Sequence, residues 1–444
     1  VFDVDDETQA LARRVVAFID ERTRNGGPLG ATAPSPAVLE ALTRGTVTAA
    51  GLGVERAFDT FEQVVLPYCV GLDSPRFLAF IPAAPNPTSI WFDAVVAAGT
   101  FSAESWLEGA GAVHAENDAL RFLADVAGLP TGAAGCFVSG GSAGNLSALA
   151  VARDRGHRPS RRVAVADTAH ASVDNALRLL ALGALEVPTD AGGRFTGAAL
   201  EAALDADLDG DDVGIVVASG GSTNGGVVDD LAGIADVCAR RGLWLHVDAA
   251  YGGAALLVPE MRSRFAGIER ADSFIVDPHK WLFGPLDCCA LLYREPQRAR
   301  AVHTQRGPYI EVLHLEDAFN PMDHAYHLTR RARGLPFWFA LVAHGTDAFV
   351  EAIRHSLRLT AVTVERLAAV PGVEVILEPE LSVVLFRREG WDAARWRRWA
   401  EDLLAAGTAL VAPTTWKGEA VGRVVYLHPR TPDSIVEELA ESLR

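Results

Sequence analysis

The stretch Ala271–Tyr293, ADSFIVDPHKWLFGPLDCCALLY, decides how the rest of the chain is read. An apolar run, Ser273–Val276, gives way to Asp277-Pro278-His279-Lys280, and Trp281, Leu282 and Phe283 follow directly. Lysine is rarely buried without a partner. In such apolar company it either extends its ammonium outward along an aliphatic stem or is kept neutral as a nucleophilic amine. Taken alone, the outward reading is the better one. What reverses it is the rest of the chain, which supplies the parts that a cofactor aldehyde on this amine needs.

From about residue 110 to 300, short apolar strands alternate with amphipathic helices, the pattern of a mainly parallel sheet. Strands are expected at Cys136–Val138, Arg162–Ala166, Gly214–Ala218, Trp244–Val247, Ser273–Val276 and Cys289–Tyr293, with helices at 144–155, 171–182, 196–205 and 228–241. Before this region, residues 4–24 carry apolar positions at helical spacing behind an acidic first turn. A Gly-, Pro- and Ala-rich loop (25–36), a helix (54–68) and an aromatic, proline-rich coil (74–87) follow. This part is too small and open to be an enzyme by itself and reads as an arm that packs on something else. After 335 come a long helix (345–370), strands at Val373–Leu377 and Ser382–Arg387, a helix (391–406), strands near 408–412 and 421–427, and a closing helix (432–443).

In sheets of this kind ligands gather at the carboxyl ends of the strands. After the first strand stands Ser139-Gly140-Gly141-Ser142-Ala143-Gly144-Asn145, opening a helix. Glycines let backbone amides turn toward an anion, and the helix N-terminus adds positive potential. A tight turn is the commoner use of such a loop, and it matches neither the dinucleotide nor the P-loop pattern. His170 follows the second strand, either as a cap or core residue or as a ring that stacks on a planar heterocycle. The third strand ends in Ser219-Gly220-Gly221-Ser222-Thr223, where backbone either approaches something closely or is merely loose. The fourth ends in Asp248, a carboxylate costly to bury unpaired. Ala250, two residues on, shares its side in extended geometry. An anion cradle, a stackable ring, a carboxylate, a small residue and a lysine, each at a strand end, form the set that pyridoxal 5'-phosphate (PLP) requires.

Composition agrees. At 444 residues, 49% of them hydrophobic, the chain can bury a large core in two or three lobes. A net charge of −17 argues against nucleic acid or an anionic membrane surface as partner. Cys69, Cys136, Cys238, Cys288 and Cys289 are scattered, without a zinc-type pairing or a disulfide framework, so no metal is expected and a reducing cytoplasm is. No leader-like segment opens the chain and no apolar run is long enough for a bilayer. The chain begins at Val1 rather than Met, so a short native N-terminus is expected to be missing.

With these residues in hand, the chain resembles the group II PLP-dependent decarboxylases, the family of aromatic L-amino acid decarboxylase. The resemblance covers nearly the whole chain and is most specific at HVDAAYGG (246–253), DPHKWLF (277–283) and RRARGLPFW (330–338). It implies an α/β, fold type I PLP enzyme. Its large domain would have a mainly parallel seven-stranded sheet flanked by helices, with an N-terminal helical arm and a small α+β C-terminal domain. The divisions expected are 1–90 for the arm and dimerisation segment, 91–335 for the PLP-binding domain and 336–444 for the C-terminal domain. Carried over by position, Lys280 is the Schiff-base lysine and Asp248 the partner of the pyridine nitrogen. His170 stacks on one ring face and Ala250 packs on the other, while Gly141 and Ser142 hold the phosphate. Thr223 lies beside the cofactor, and Asp277 and His279 flank the lysine. Phe80, Ile81 and Pro82 of the arm line the substrate side chain, with Trp106 nearby. Tyr309, ahead of Tyr326, matches the family's loop tyrosine, which reaches the partner subunit's site and, with His170, returns a proton to the α-carbon. The resemblance thus implies a homodimer with shared active sites, taking an amino acid as substrate and binding neither nucleic acid nor membrane.

The activity implied is that of a carboxy-lyase turning an aromatic L-amino acid into its amine and CO₂. Tyrosine at 309 favours simple decarboxylation, since phenylalanine there accompanies aldehyde synthases. Other readings stay open: oxidative decarboxylation–deamination to an aldehyde, an aminotransferase using Arg330, Arg331 or Arg333 for the substrate carboxylate, or a decarboxylase of a non-aromatic amino acid. The last is raised by Glu104, which lies in a segment, Phe101–Trp106, that matches the family poorly and is either solvent-facing or turned to the pocket. The cradle also departs, reading Ser142-Ala143-Gly144-Asn145 where an acidic residue and alanine usually follow the serine.

Overall fold

The computed structural model describes residues 4–30, 33–154, 160–207, 212–315 and 318–444. The last residue of the helix expected at 144–155, and 31–32 of the loop expected at 25–36, lie outside the described residues. Seven strands, β1 (Ala134–Val138), β2 (Arg162–Ala166), β3 (Gly183–Val187), β4 (Val213–Ser219), β5 (Trp244–Asp248), β6 (Ser273–Val276) and β7 (Cys289–Tyr293), make the large sheet. Their order is β1-β7-β6-β5-β4-β2-β3. The neighbours from β6 through β3 pair in parallel, whereas β7 runs antiparallel to both β1 and β6. The sheet is thus mixed, with one strand reversed.

Helices cover both faces, because successive strand residues point to opposite sides. Ile215 and Val217 of β4 join one apolar core with Leu149, Val151 and Val173 of the helices Gly141–Asp154 and Ala171–Leu179. Val216 and Ala218 face the other core, with Leu200 and Ile234 of the helices Gly197–Ala206 and Leu231–Arg241. Strands buried on both faces read as continuous apolar runs, which is why most were legible in the sequence. The exception is β3. It begins with glycine, carries Glu186 and buries only Val187, as suits an edge strand, and the helix before it stops at Leu179 rather than 182.

A second, antiparallel sheet of β8 (Val373–Val375), β9 (Val383–Arg388), β10 (Thr414–Trp416) and β11 (Glu419–Val425) is ordered β10-β11-β9-β8. Its core joins Phe386 and Tyr426 to Trp396 and Trp399 of the helix Ala393–Ala405. The strand expected near 408–412 does not form. Its backbone is used instead by the arm: Leu78 N donates to the Leu410 carbonyl (2.8 Å) and Leu410 N to that of Arg76 (3.0 Å). The long helix Leu335–Ala368 is interrupted at Gly345 (φ +70°), where the sequence signal for a helix begins. No helix among the described residues is long and apolar enough to cross a membrane.

The arginine-rich segment locks these parts together. Arg330, 3% exposed, grips Glu116 with two hydrogen bonds (2.7 and 2.9 Å) and donates to the Ala103 carbonyl (2.7 Å). Glu116 also accepts from Gly334 N (2.7 Å). Arg331 pairs with Asp93 (2.7 Å) and Arg333 with Asp287. Removing one partner of a buried ion pair strands the other. Arg330→Met should therefore cost about 3–5 kcal/mol in urea unfolding; a loss below about 1 kcal/mol, the scale of exposed pairs, would contradict this account.

Candidate active site

The turn after β6 carries the lysine. Lys280 N donates to the Asp277 carbonyl (3.0 Å) and Gly284 N to that of Pro278 (2.8 Å), which folds the segment back on itself. Trp281 and Leu282, both 0% exposed, pin it to the core, and the Trp281 ring stacks on Tyr251 at 5.3 Å. Phe283 adopts a left-handed backbone (φ +58°), and its carbonyl accepts from Asn86 N (2.8 Å) and Nδ2 (2.9 Å). The apolar residues around Lys280 are therefore its anchors, and its ammonium faces a cavity.

That cavity, of about 330 Å³, opens at the carboxyl ends of the strands. Gly141, Ser142, His170, Thr223, Asp248, Ala250, Asp277, His279 and Lys280 all line it, so the expected cofactor residues come together. The amides of Ala143 and Gly144 bond back to the Gly140 carbonyl (both 3.0 Å), leaving the start of the helix Gly141–Asp154 at the cavity wall. A Cβ on Gly141 would meet Asp277 Oδ2 at 3.3 Å and Ala250 Cβ at 3.4 Å, so bare backbone is what fits there. His170 is at once a cap and a cavity residue. Its Nδ1 accepts from Ser172 N (3.2 Å) at the start of the helix Ala171–Leu179. Asp248 accepts from Asn145 Nδ2 (2.8 Å) and Ala250 N (3.1 Å).

Lys280 Nζ lies 2.8 Å from Asp277 Oδ2. Burial pulls the lysine's pKa down, but Asp277 first and Asp248 after it outweigh burial, and the value stands above the ordinary 10.5. Burial likewise pushes Asp277 up, and Lys280 and His279 outweigh it, so that carboxyl titrates below its ordinary 3.8. Without cofactor the amine is thus a paired ammonium rather than the neutral amine the sequence suggested, because the carboxylate three residues back supplies its counter-charge. Asp277 Oδ1 is buried without a partner among the described residues.

The expected substrate residues are dispersed. Phe80 borders an adjoining hollow with His170, Thr223 and Arg423. Its ring is 62% exposed and its backbone left-handed (φ +51°). Ile81 packs against the main core, Pro82 is buried, and Trp106 lies in a separate cluster with its amide bonded to Asn320 Oδ1 (2.9 Å). Tyr309 is 75% exposed, and neither it nor Trp106 nor Glu104 lines the cavity of its own chain. Glu104 is buried rather than solvent-facing, its Oε2 has no partner among the described residues, and burial raises its pKa.

Three residues escaped the sequence reading. Asn145, one helical turn past Ser142, bonds Asp248 as described. Asp229 lines the cavity and accepts from Ser219 N (2.6 Å) and Phe195 N (2.9 Å), and burial pushes its pKa up to about 7. Arg423 donates to the carbonyls of Thr223 (2.6 Å), Phe80 (2.9 Å) and Asn224 (3.1 Å), has no carboxylate partner among the described residues, and is lowered by burial to about 10. A lone arginine inside the apolar run of Val421–Leu427 was the signal for the last.

A helix-start anion cradle with serine hydroxyls, a histidine ring, an acceptor carboxylate and a lysine in one cavity define a PLP site, and known proteins agree. Residues 36–389 match the model of the pyridoxal-dependent decarboxylase conserved domain. Aromatic-L-amino-acid decarboxylase of Bacillus atrophaeus is 32% identical over 81% of this chain and 78% of its own. L-2,4-diaminobutyrate decarboxylase of Rhizobium meliloti is 30% identical over 88% and 82%. Among solved structures, Oryza sativa TDC with PLP and tryptamine superposes with a TM-score of 0.92 at 26% identity, covering 100% of this chain and 98% of that one. The chain belongs to the pyridoxal-dependent decarboxylase family, and is a PLP-dependent amino acid carboxy-lyase. The cavity, its bare Gly141 wall and its donors fit that cofactor, within the usual range of roughly 300–1,000 Å³.

The ion pair carries its own test. Asp277→Asn removes the main charge that keeps Lys280 protonated, and burial then favours the neutral amine. In cofactor-free protein, acylation of Lys280 at neutral pH, read by peptide mass spectrometry, should rise by up to about tenfold for each pKa unit lost. Equal labelling of the variant and the parent would contradict the pairing.

Proposed function

We propose that the chain decarboxylates an aromatic L-amino acid to the amine and CO₂. The observation that carries this reading is Phe80. A large ring 62% exposed, on a left-handed backbone whose carbonyl Arg423 holds, is an apolar surface kept at the mouth of the site at some conformational cost. Rings pair favourably with rings, and Phe80 shares its hollow with His170.

Bound at Lys280, PLP supplies an aldehyde for the substrate amine and a protonated ring that accepts the electron pair left by CO₂. In this reading Gly141 and Ser142, at the helix start, hold the phosphate, with Thr223 and His279 beside it. Asp248 keeps the ring nitrogen protonated, and His170 and Ala250 take the two ring faces. Asp277 holds the Lys280 amine in place between turnovers. Arg423, a buried cation without a carboxylate of its own, receives the substrate carboxylate. His170 accepts at Nδ1 and so keeps its proton on Nε2, where with the Tyr309 hydroxyl it can return a proton to the α-carbon.

Tyr309 is exposed and does not line the cavity of its own chain, which supports a homodimer in which each loop serves the partner's site. Val15, Val16, Val38 and Leu42 of the arm are exposed, which fits the same reading. The free thiols support a reducing, cytoplasmic home. The aminotransferase reading loses ground because Arg330, Arg331 and Arg333 are each engaged with a carboxylate. A second substrate reading, an amino acid with a cationic side chain, rests on the buried and half-unpaired carboxylate of Glu104, which does not line its own cavity and would have to serve the partner's site.

Purified, PLP-loaded protein should turn over Trp, Tyr, Phe or Dopa with amine matching CO₂ and no oxygen uptake. Lys280→Ala should remove that turnover. Silence on all aromatics with turnover of 2,4-diaminobutyrate would sink the aromatic reading in favour of the Glu104 one. Tyr309→Phe should shift products from amine toward aldehyde with oxygen consumption; an unchanged product ratio would remove Tyr309 from the proton return.

A further inference from the structure

Behind the cavity lies a chain of hydrogen bonds with one consistent direction. Asn145 is 0% exposed, and all its polar atoms are used. Its Nδ2 donates to Asp248 Oδ2 (2.8 Å) and to Ser172 Oγ (2.9 Å), while its Oδ1 lies 2.8 Å from His246 Nε2. His246 is also 0% exposed, and its Nδ1 lies 2.9 Å from Ser273 Oγ. That oxygen accepts from Trp244 Nε1 (3.0 Å).

The donors can be assigned because both ends admit only one role. An ionised carboxylate only accepts and an indole N–H only donates. Asp248 therefore takes an N–H from Asn145, which turns the amide oxygen toward His246 and requires a proton on His246 Nε2. Trp244 occupies Ser273 as a donor, which leaves the Ser273 hydroxyl proton for His246 Nδ1. Burial depresses the His246 pKa to about 4, in keeping with the single ring proton this scheme needs. On the other branch Ser172 accepts from Asn145 and gives its hydroxyl proton to His170 Nδ1, 2.8 Å away. The two amide hydrogens of one asparagine thus serve two cavity residues. Rotating the amide by half a turn would set its oxygen against the Asp248 carboxylate and break both branches.

We propose that Asn145, locked from behind by His246, is a positioning residue that fixes the Asp248 carboxylate and the His170 ring together. The inference rests on the roles given above to Asp248 and His170.

The test uses the full-length protein and PLP, reading cofactor affinity by titration, the near-ultraviolet and visible spectrum of the bound cofactor, and kcat and KM separately. Asn145→Asp keeps the shape and the acceptor toward His246 but removes both donors. It should weaken PLP and lower kcat by about tenfold or more, the scale of a hydrogen bond to a charged group, with little change in KM. Its spectrum should move in the same sense as that of Asp248→Asn. His246→Gln, which can still donate to Asn145 and accept from Ser273, should restore most of what His246→Leu loses; this pair tests the relay even if Asn145→Asp fails to fold. Parental affinity and spectrum in Asn145→Asp, or equal losses in His246→Gln and His246→Leu, would overturn the proposal. If Asp248→Asn itself leaves affinity and spectrum unchanged, the role of Asp248 fails, and the inference falls with it for that separate reason.

Discussion

An ammonium cannot sit in the end of a hydrophobic sheet without a counter-charge, and the pairing of Lys280 with Asp277 meets that constraint within a single turn. Much else follows from it. The carboxylate must come from the turn after β6, so Trp281 and Leu282 are free to bury themselves and hold the turn rigid. The remaining charge of the site is then supplied from other strand ends, Asp248 from β5 and the helix start after β1. Each group is fixed by a different strand, and the parallel run from β6 to β3 brings their ends to one side. The geometry of the site is thus a property of the sheet rather than of flexible loops.

The fold was legible where burial is two-sided. Strands such as β4 and β6 are apolar throughout and flanked by amphipathic helices, so periodicity and punctuation agree. The edge strand β3 was not, since half-exposed strands carry weak apolar signals, and 408–412 misled because its backbone pairs with the arm, a contact over 300 residues away in sequence. The residues around the cofactor cavity were legible because each follows a strand. Asn145, Asp229 and Arg423 were not, because their importance lies in partners that only the folded chain brings near.

In the proposed reading, substrate choice sits at a different level from cofactor chemistry. The cavity residues are drawn from the large sheet and sit among buried neighbours, whereas Phe80, Tyr309 and Glu104 lie on the arm and on connections outside the sheet. Relatives that share the family carry names for aromatic, diaminobutyrate and histidine substrates. A scaffold that keeps the reaction in the sheet and the selection in peripheral segments allows the one to vary without disturbing the other.

The reversed strand has a consequence for biosynthesis. β1, which leads into the anion cradle, has β7 as its only neighbour in the sheet among the described residues, and β7 is the last of the seven strands to be made. A nascent chain that has emerged only as far as β6 therefore leaves β1 without a pairing partner. The pairing that fixes β1 in the sheet forms only after β7 has been made. A truncated product lacking β7 would keep the lysine and the packing of the cradle helix on β4, β5 and β6, but would leave the strand that leads into the cradle unpaired.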